Sequence, residues 1–327
     1  MTNLNLFPKS KKWLFLGGAG YVGSHVLREF VAAGASCVVL DSLVTGKIER
    51  LPPQVEFLQG DATNAEFIAA ACKNFEITGV VHLAAFMQAR ESVTDPIKYW
   101  KNNLGISLAL ATILSKSKIE QIIFSSSCSV YGNAQNTTEA SDFNPISPYA
   151  MTKVASEQVL SQSAAKNGIQ LTILRYFNVI GCGDFEKSFD HGTETILPSA
   201  ARKIIAGAPP VIFGGNLSTP DGSAVRDYLD VRDLARAHLA VAGGEIALRS
   251  VALNVSSGRP ISVKEIVSTL LEVSGSSLVP VIVPAKVGDP SEIWASESPG
   301  LKSLGWNPKY SLYESVQSFW NAFQRSI

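Results

Sequence analysis

The chain has 327 residues, 46% of them hydrophobic and 17% charged, a balance that suits a large globular core and excludes a disordered chain. Its 28 basic and 28 acidic residues cancel, which leaves no electrostatic footprint for nucleic acid. No stretch reaches the ~18 uninterrupted apolar residues that a membrane span needs.

Met1 to Ser10 reads as a short tail. The run Lys9-Ser10-Lys11-Lys12 before an apolar segment mimics a signal peptide, but the segment breaks at Gly17-Gly18. Those glycines fit a dinucleotide turn better. A strand is predicted at Trp13–Leu16, then Gly17-Gly18-Ala19-Gly20-Tyr21-Val22-Gly23, then a helix over Val22–Ala33. Gly18, Gly20 and Gly23 satisfy G-x-G-x-x-G; Gly17, Gly20 and Gly23 satisfy the wider G-x-x-G-x-x-G. Glycines there allow a tight turn, a backbone close to a pyrophosphate and close packing of helix on strand. The helix N-terminus then offers N–H groups to phosphate. Eighteen residues after Gly23, Asp41 ends the apolar run Cys37–Leu40, a second predicted strand. A carboxylate there binds ribose hydroxyls and disfavours a 2′-phosphate, so the expected cofactor is NAD, not NADP. A ligand-free glycine turn is the bland alternative, and strand, helix and downstream acid together argue against it.

Further strands are predicted at Val55–Leu58, Val80–Leu83, Ile122–Ser125 and Leu171–Leu174, and helices at Ala65–Lys73, Pro96–Lys116 and Tyr149–Lys166. The alternation implies an α/β fold with a Rossmann-type doubly wound parallel sheet. Tyr149 and Lys153 are four apart and share one face of the last of these helices. A free tyrosine titrates near ~10. A lysine cation beside it favours the phenolate and lowers that value, which makes it a usable base for a sugar hydroxyl. Tyr and Lys fall four apart on many helices, so the glycine turn upstream gives the pair its meaning.

After Asn178 the pattern loosens around Gly181 and Gly183. Residues 1–177 are expected to form the NAD-binding domain and 178–327 mainly a smaller C-terminal substrate lobe. Segments near 228–255 (Tyr228–Val231 and Val251–Val255) are expected to return to the main sheet. Cys37, Cys72, Cys128 and Cys182 are scattered with no C-x-x-C, and read as reduced thiols of a cytoplasmic protein. The four histidines show no metal-ligand spacing, so no metal is expected. His25, just past the glycine turn, suits either a phosphate contact or a plain surface position.

In this order and spacing the motifs resemble the extended short-chain dehydrogenase/reductase family, and within it the UDP-glucose 4-epimerases. The resemblance runs from about Trp13 to about Pro308. It includes Gly60-Asp61-Ala62, His82-Leu83-Ala84-Ala85, Lys101-Asn102-Asn103, Phe124 to Gly132, Arg175-Tyr176-Phe177-Asn178, Thr219 to Tyr228, and Gly288-Asp289-Pro290 with Trp294-Ala295. It implies catalytic roles for Ser127, Tyr149 and Lys153. It implies NAD contacts from Gly17, Gly20, Tyr21, Val22, Gly23, Asp41, Asp61, Ala62, Leu83, Ala84, Ala85, Asn102, Ser125, Tyr149, Lys153 and Tyr176. Substrate contacts would come from Ser127, Tyr149, Asn178, Thr195, Arg226, Lys286 and Asp289.

The implied reaction inverts C4 of UDP-glucose or UDP-galactose through a transient 4-keto sugar, in a homodimer joined through two helices of the Rossmann domain. Other UDP-sugars stay open: N-acetylhexosamines, pentoses and uronates. So does, from a different class, a non-catalytic NAD-binding regulatory protein. Dehydratases of this type place Asp-Glu after the serine or threonine; here Cys128 and Ser129 follow Ser127. Four departures from the resemblance stand out. Leu16 replaces a threonine, Met87 and Gln88 stand where a lysine often lies, Lys286 stands near where an arginine is common, and Thr195 replaces a His or Asn. Ile293, before Trp294-Ala295, has the middle size that leaves both the hexose and the N-acetyl pair open.

Overall fold

The computed structural model describes residues 11–183, 185, 187–192, 195–244, 250–285 and 290–326. The expected N-terminal tail, Lys286 and Asp289 lie outside the described residues. The strands, in chain order, are β1 (Lys12–Leu16), β2 (Ser36–Asp41), β3 (Glu56–Gln59), β4 (Gly79–His82), β5 (Gln121–Ser127), β6 (Ala134–Thr137) and β7 (Gln170–Tyr176). There follow β8 (Asn178–Ile180), β9 (Val211–Phe213), β10 (Val225–Asp230), β11 (Ser250–Val255), β12 (Pro260–Ser262), β13 (Val281–Val283) and β14 (Glu292–Ala295).

Seven strands form one sheet in the order β3-β2-β1-β4-β5-β7-β11, with every pairing parallel. A parallel sheet needs both faces covered, and β1 shows how the sequence meets that need. Its side chains alternate between two cores. Leu14 and Leu16 join Val80, Ile122, Leu110 and Leu160 on one face. Trp13 and Phe15 join Phe30, Val81, Leu234 and Val241 on the other. The helices Ala65–Asn74, Gly105–Ile113 and Pro148–Asn167 cover the first face, and Tyr21–Ala32 and Val231–Gly243 the second. The strand order reverses at β1, between β2 and β4. Such a switch point opens a crevice beyond the strand C-termini, where doubly wound sheets hold ligands.

The returning segments divide. The strand β11 pairs with β7 from Ser250↔Leu171 to Val255↔Tyr176 and completes the large sheet. The segment around Tyr228 does not return there. It belongs to β10, which pairs with β8, β12 and β14 in a second, smaller sheet. That sheet packs under a separate core of Phe189, Leu197, Tyr228, Leu270, Phe319 and Trp320. The helix expected over Pro96–Lys116 is also interrupted. Pro96–Tyr99 is α-helical, Trp100–Leu104 is a π-turn, Gly105–Ile113 is α-helical again and Leu114–Lys116 is a 3₁₀ turn. No helix among the described residues is long and apolar enough to cross a membrane.

Candidate active site

The glycine turn sets the floor of the crevice. Gly17 has φ +85°, and a Cβ there would lie 2.6 Å from the Ala84 nitrogen; at Gly23 a Cβ would lie 2.2 Å from the Gly17 carbonyl oxygen. Both positions therefore exclude side chains, and the turn lies tight against the β4 loop. Gly20 is the N-cap of the helix Tyr21–Ala32 and offers no side-chain acceptor. The first-turn N–H groups are left for phosphate oxygens. Asp41 is buried at the end of β2, where Oδ2 accepts from the Ala19 N–H at 2.9 Å and Oδ1 from the Leu43 N–H at 2.9 Å. Each carboxylate oxygen has a second lone pair, free for a ribose hydroxyl.

One cleft is lined by Gly17, Gly20, Tyr21, Val22, Gly23, Asp41, Asp61, Ala62, Leu83, Ala84, Ala85, Asn102, Tyr149, Lys153 and Tyr176. Ser125 is the exception among the expected cofactor residues. Its hydroxyl meets His238 Nε2 at 3.4 Å and neighbours the Tyr176 phenol, and its carbonyl accepts from Lys153 Nζ at 2.7 Å. The neighbour Ser126 lines the cleft instead. Successive strand side chains point to opposite faces, so the two serines cannot share one. Sequence reasoning also missed Ser42, Val44, Thr45, Phe86 and Ile106 as lining residues. Only the loop's position after Asp41 could have pointed to the first three. Met87 lines the cleft and is 61% exposed, so an apolar chain stands where a lysine was considered. Leu16 is fully buried, and its carbonyl accepts from the N–H groups of Leu83 and Ala84.

The catalytic candidates meet at one end of this cleft. Ser147 caps the helix Pro148–Asn167 by accepting from the Ala150 N–H at 3.2 Å, and Pro148 occupies the first turn. The cap fixes the helix start, so Tyr149 and Lys153 fall on the cleft side. Lys153 is 4% exposed, with Nζ 5.9 Å from the centre of the Tyr149 ring. Ser127 neighbours the Tyr149 hydroxyl, and its Oγ accepts from the Ser129 N–H at 3.2 Å. Burial pushes the Tyr149 phenol up to about 12, against the lowering effect of the neighbouring Ser127 hydroxyl. Lys153 was expected to depress the phenol; its Nζ is instead bonded to the Ser125 carbonyl, and burial sets the direction of the shift. Burial likewise lowers Lys153 to about 8, opposed by the Glu157 carboxylate.

Asn178, Thr195 and Arg226 stand apart from the dinucleotide cleft. Asn178 pairs with Tyr228 across β8 and β10, and Thr195 is the N-cap of the helix Ile196–Ile205. The Arg226 guanidinium donates to the carbonyls of Val225, Ser291 and Pro290 at 2.8, 3.3 and 2.6 Å. Its charge lowers the Cys128 thiol, which burial nonetheless holds at about 12, so Arg226 lies near the residue that follows Ser127. His25 is buried, with Nε2 2.7 Å from the Ser188 carbonyl, rather than on the surface. Among the described residues no group of three or more His, Cys, Asp or Glu side chains is arranged to hold a metal.

The profile of the NAD dependent epimerase/dehydratase family matches residues 13–248. A UDP-glucose 4-epimerase of Lacticaseibacillus casei is 36% identical over 313 residues, covering 94% of this chain and 95% of that protein. A crystal structure of a UDP-glucose-4-epimerase from Stenotrophomonas maltophila, with bound NAD and formylated UDP-arabinopyranose, superposes with a TM-score of 0.89 at 30% identity, covering 97% of this chain and 100% of that one. A UDP-N-acetylglucosamine 4-epimerase from Methanobrevibacter ruminantium, in complex with UDP-N-acetylmuramic acid, gives 0.86 at 27% identity, covering 98% and 100%. The glycine cradle, the buried Asp41 on the cleft wall and the capped Tyr149–Lys153 helix suit the dinucleotide that this family uses, and the chain belongs to the NAD dependent epimerase/dehydratase family.

Proposed function

We propose that this protein inverts C4 of a UDP-sugar, interconverting UDP-glucose and UDP-galactose through a transient 4-keto sugar. The observation that carries the reading is the placing of Tyr149 and Lys153 together on the wall of the dinucleotide cleft, with Ser127 beside the phenol. When bound, NAD supplies the acceptor and return donor for the C4 hydride and a positive charge near the phenol. Tyr149 takes the 4-hydroxyl proton and later returns it. The Lys153 cation and the Ser127 hydroxyl stabilise the phenolate that this step needs. Asp41 and Asp61 hold the adenosine half. Arg226, with Lys286, anchors the diphosphate, and Asn178, Thr195 and Asp289 contact other parts of the nucleotide sugar. Ser127 is followed by Cys128 and Ser129, which are no acid–base pair for eliminating water, so epimerisation is favoured over dehydration.

The N-acetylhexosamine pair is a second reading, supported by Ile293. It packs against Cys128, Val130 and Tyr131, next to Ser127, and lacks the bulk of a tyrosine. The protein acts as a homodimer. The helices Gly105–Ile113 and Pro148–Asn167 pack together and leave Leu108 and Met151 47% and 43% exposed. Its place is the cytoplasm, in keeping with four free, buried thiols.

The test uses purified protein with no added cofactor, UDP-galactose or UDP-N-acetylgalactosamine, and detection of the 4-epimer. Conversion is expected for at least one pair. Tyr149→Phe should lower kcat by roughly 10²- to 10⁴-fold with UDP affinity unchanged. No conversion of either pair with NAD⁺ added, or a fully active Phe variant, sinks the reading.

A further inference from the structure

Behind the Tyr149–Lys153 face lies a buried ion pair that no step above uses. Glu157 follows Lys153 by one turn, so Tyr149, Lys153 and Glu157 share a side of one helix. Glu157 and Arg175 are 3% and 5% exposed. Arg175 Nη2 donates to Glu157 Oε2 at 2.6 Å, and its Nε reaches the two carboxylate oxygens at 3.0 and 3.2 Å. The cleft residue Ser126 donates to Glu157 Oε1 at 2.5 Å. Consecutive residues of β5 thus hold Lys153 by a carbonyl and Glu157 by a hydroxyl, and Ser127 comes next. Arg175 Nη1 also donates to the Tyr131 hydroxyl at 3.0 Å, which donates to Asn254 in β11 at 2.7 Å.

We propose that Glu157 is a positioning residue, a reading that rests on the role given to Lys153 above: fixed by Ser126 and Arg175, its carboxylate keeps the Lys153 side chain a cation and holds it on the Ser125 carbonyl beside Tyr149. Burying an ammonium is costly without an opposite charge, and burying that charge is costly without its own partners. Glu157 answers the first need, and Arg175 with Ser126 the second. The other groups around Lys153 and Tyr149 do not replace it. On β5 there are the Phe124 ring, 5.1 Å from Nζ, and the Ser125 carbonyl. On β4 there is His82, whose pKa burial lowers to about 3, with the Lys153 charge pushing the same way. On β7 there are Arg175 and Tyr176, and beside Tyr149 the Tyr99 phenol; burial raises both tyrosines. Within this set Glu157 is the only carboxylate. Without it, burial is unopposed and Lys153 loses its proton at lower pH.

Lys153 is titrated directly by ¹³Cε-lysine NMR on the protein as purified, without sugar, its resonance assigned with Lys153→Met. In Glu157→Gln the midpoint should fall by about one pH unit or more. The alkaline limb of the kcat–pH profile should move down by the same amount, and Glu157→Asp should restore both toward wild type. A merely structural role would lower activity at every pH and leave the midpoint in place; an unmoved midpoint overturns the proposal. Should the Gln variant fail to fold, the double variant Glu157→Met with Arg175→Met removes the pair as a unit at similar volume, a change that buried ion pairs tolerate. The midpoint of the double variant should lie below that of Arg175→Met alone, which keeps the carboxylate, and equal midpoints overturn the proposal. The titration needs no turnover, so a protein inert toward every nucleotide sugar would sink the epimerase reading and still leave this one decided.

Discussion

At Tyr149 burial and the neighbouring Ser127 hydroxyl pull in opposite directions, and a phenol held at about 12 is a poor base until positive charge joins it. Asp41 is under less conflict, because its two backbone partners hold it with lone pairs to spare. Asp41→Ser should weaken NAD⁺ binding by roughly ten- to a hundredfold, from the loss of charge-assisted bonds worth about 1.5–3 kcal/mol. It should also narrow the preference over NADP⁺. Calorimetric titration with both dinucleotides checks this, and an unchanged ratio of affinities would remove Asp41 from cofactor selection. Asp41 was legible in the sequence because its meaning depends only on local order: glycine turn, helix, strand, acid. That Ser126 lines the cleft and Ser125 does not was hidden, because a run of three serines on one strand does not show which face each occupies. The pairing of Glu157 with Arg175 left no trace, since an ion pair between a helix and a strand 18 residues away has no local pattern.

The glycine turn is the element with the least tolerance. In Gly23→Ala the new methyl would fall 2.2 Å from the Gly17 carbonyl oxygen and 3.0 Å from the Gly18 Cα, both backbone atoms that cannot step aside. The variant should lose about 1–3 kcal/mol of stability and most of its NAD affinity, read by thermal denaturation and dinucleotide titration. Wild-type values on both would show that the turn is looser than described. The helix that carries Asn102 teaches a different lesson. Its periodicity predicted one continuous helix, and apolar spacing cannot reveal a single extra residue per turn. The π-turn is held by tertiary bonds: Asn103 Oδ1 accepts from the Phe86 N–H at 2.8 Å, and its Nδ2 donates to the Phe86 carbonyl at 3.0 Å. Such turns often sit at functional sites, and this one places Asn102 on the cleft.

For the whole molecule, the proposed dimer would cover the exposed side chains of Leu108 and Met151 on the paired helices. Leu108→Glu should convert a dimer to monomer in sedimentation velocity, because a two-fold contact sets each new carboxylate in an interface its twin also enters. A wild-type protein that sediments as a monomer would remove the dimer. The main sheet was legible because its strands are long, apolar and separated by helices. The second lobe was not, because strands such as Asn178–Ile180 and Pro260–Ser262 have only three residues and pair across long gaps in the chain.

The last strand of the large sheet has a consequence for synthesis. The strand β7 acquires its outer neighbour only when β11 emerges from the ribosome, roughly seventy residues later. At about 5–20 residues per second that edge stays open for several seconds. Open edges template unwanted pairing. A nascent chain stalled near residue 244, or a fragment cut at 177 to isolate the cofactor-binding half, would present the whole of Leu171–Tyr176 without the partner it has in the finished protein. Such pieces should clump, while the complete chain, its seam closed by a strand made long after the one it covers, stays dispersed.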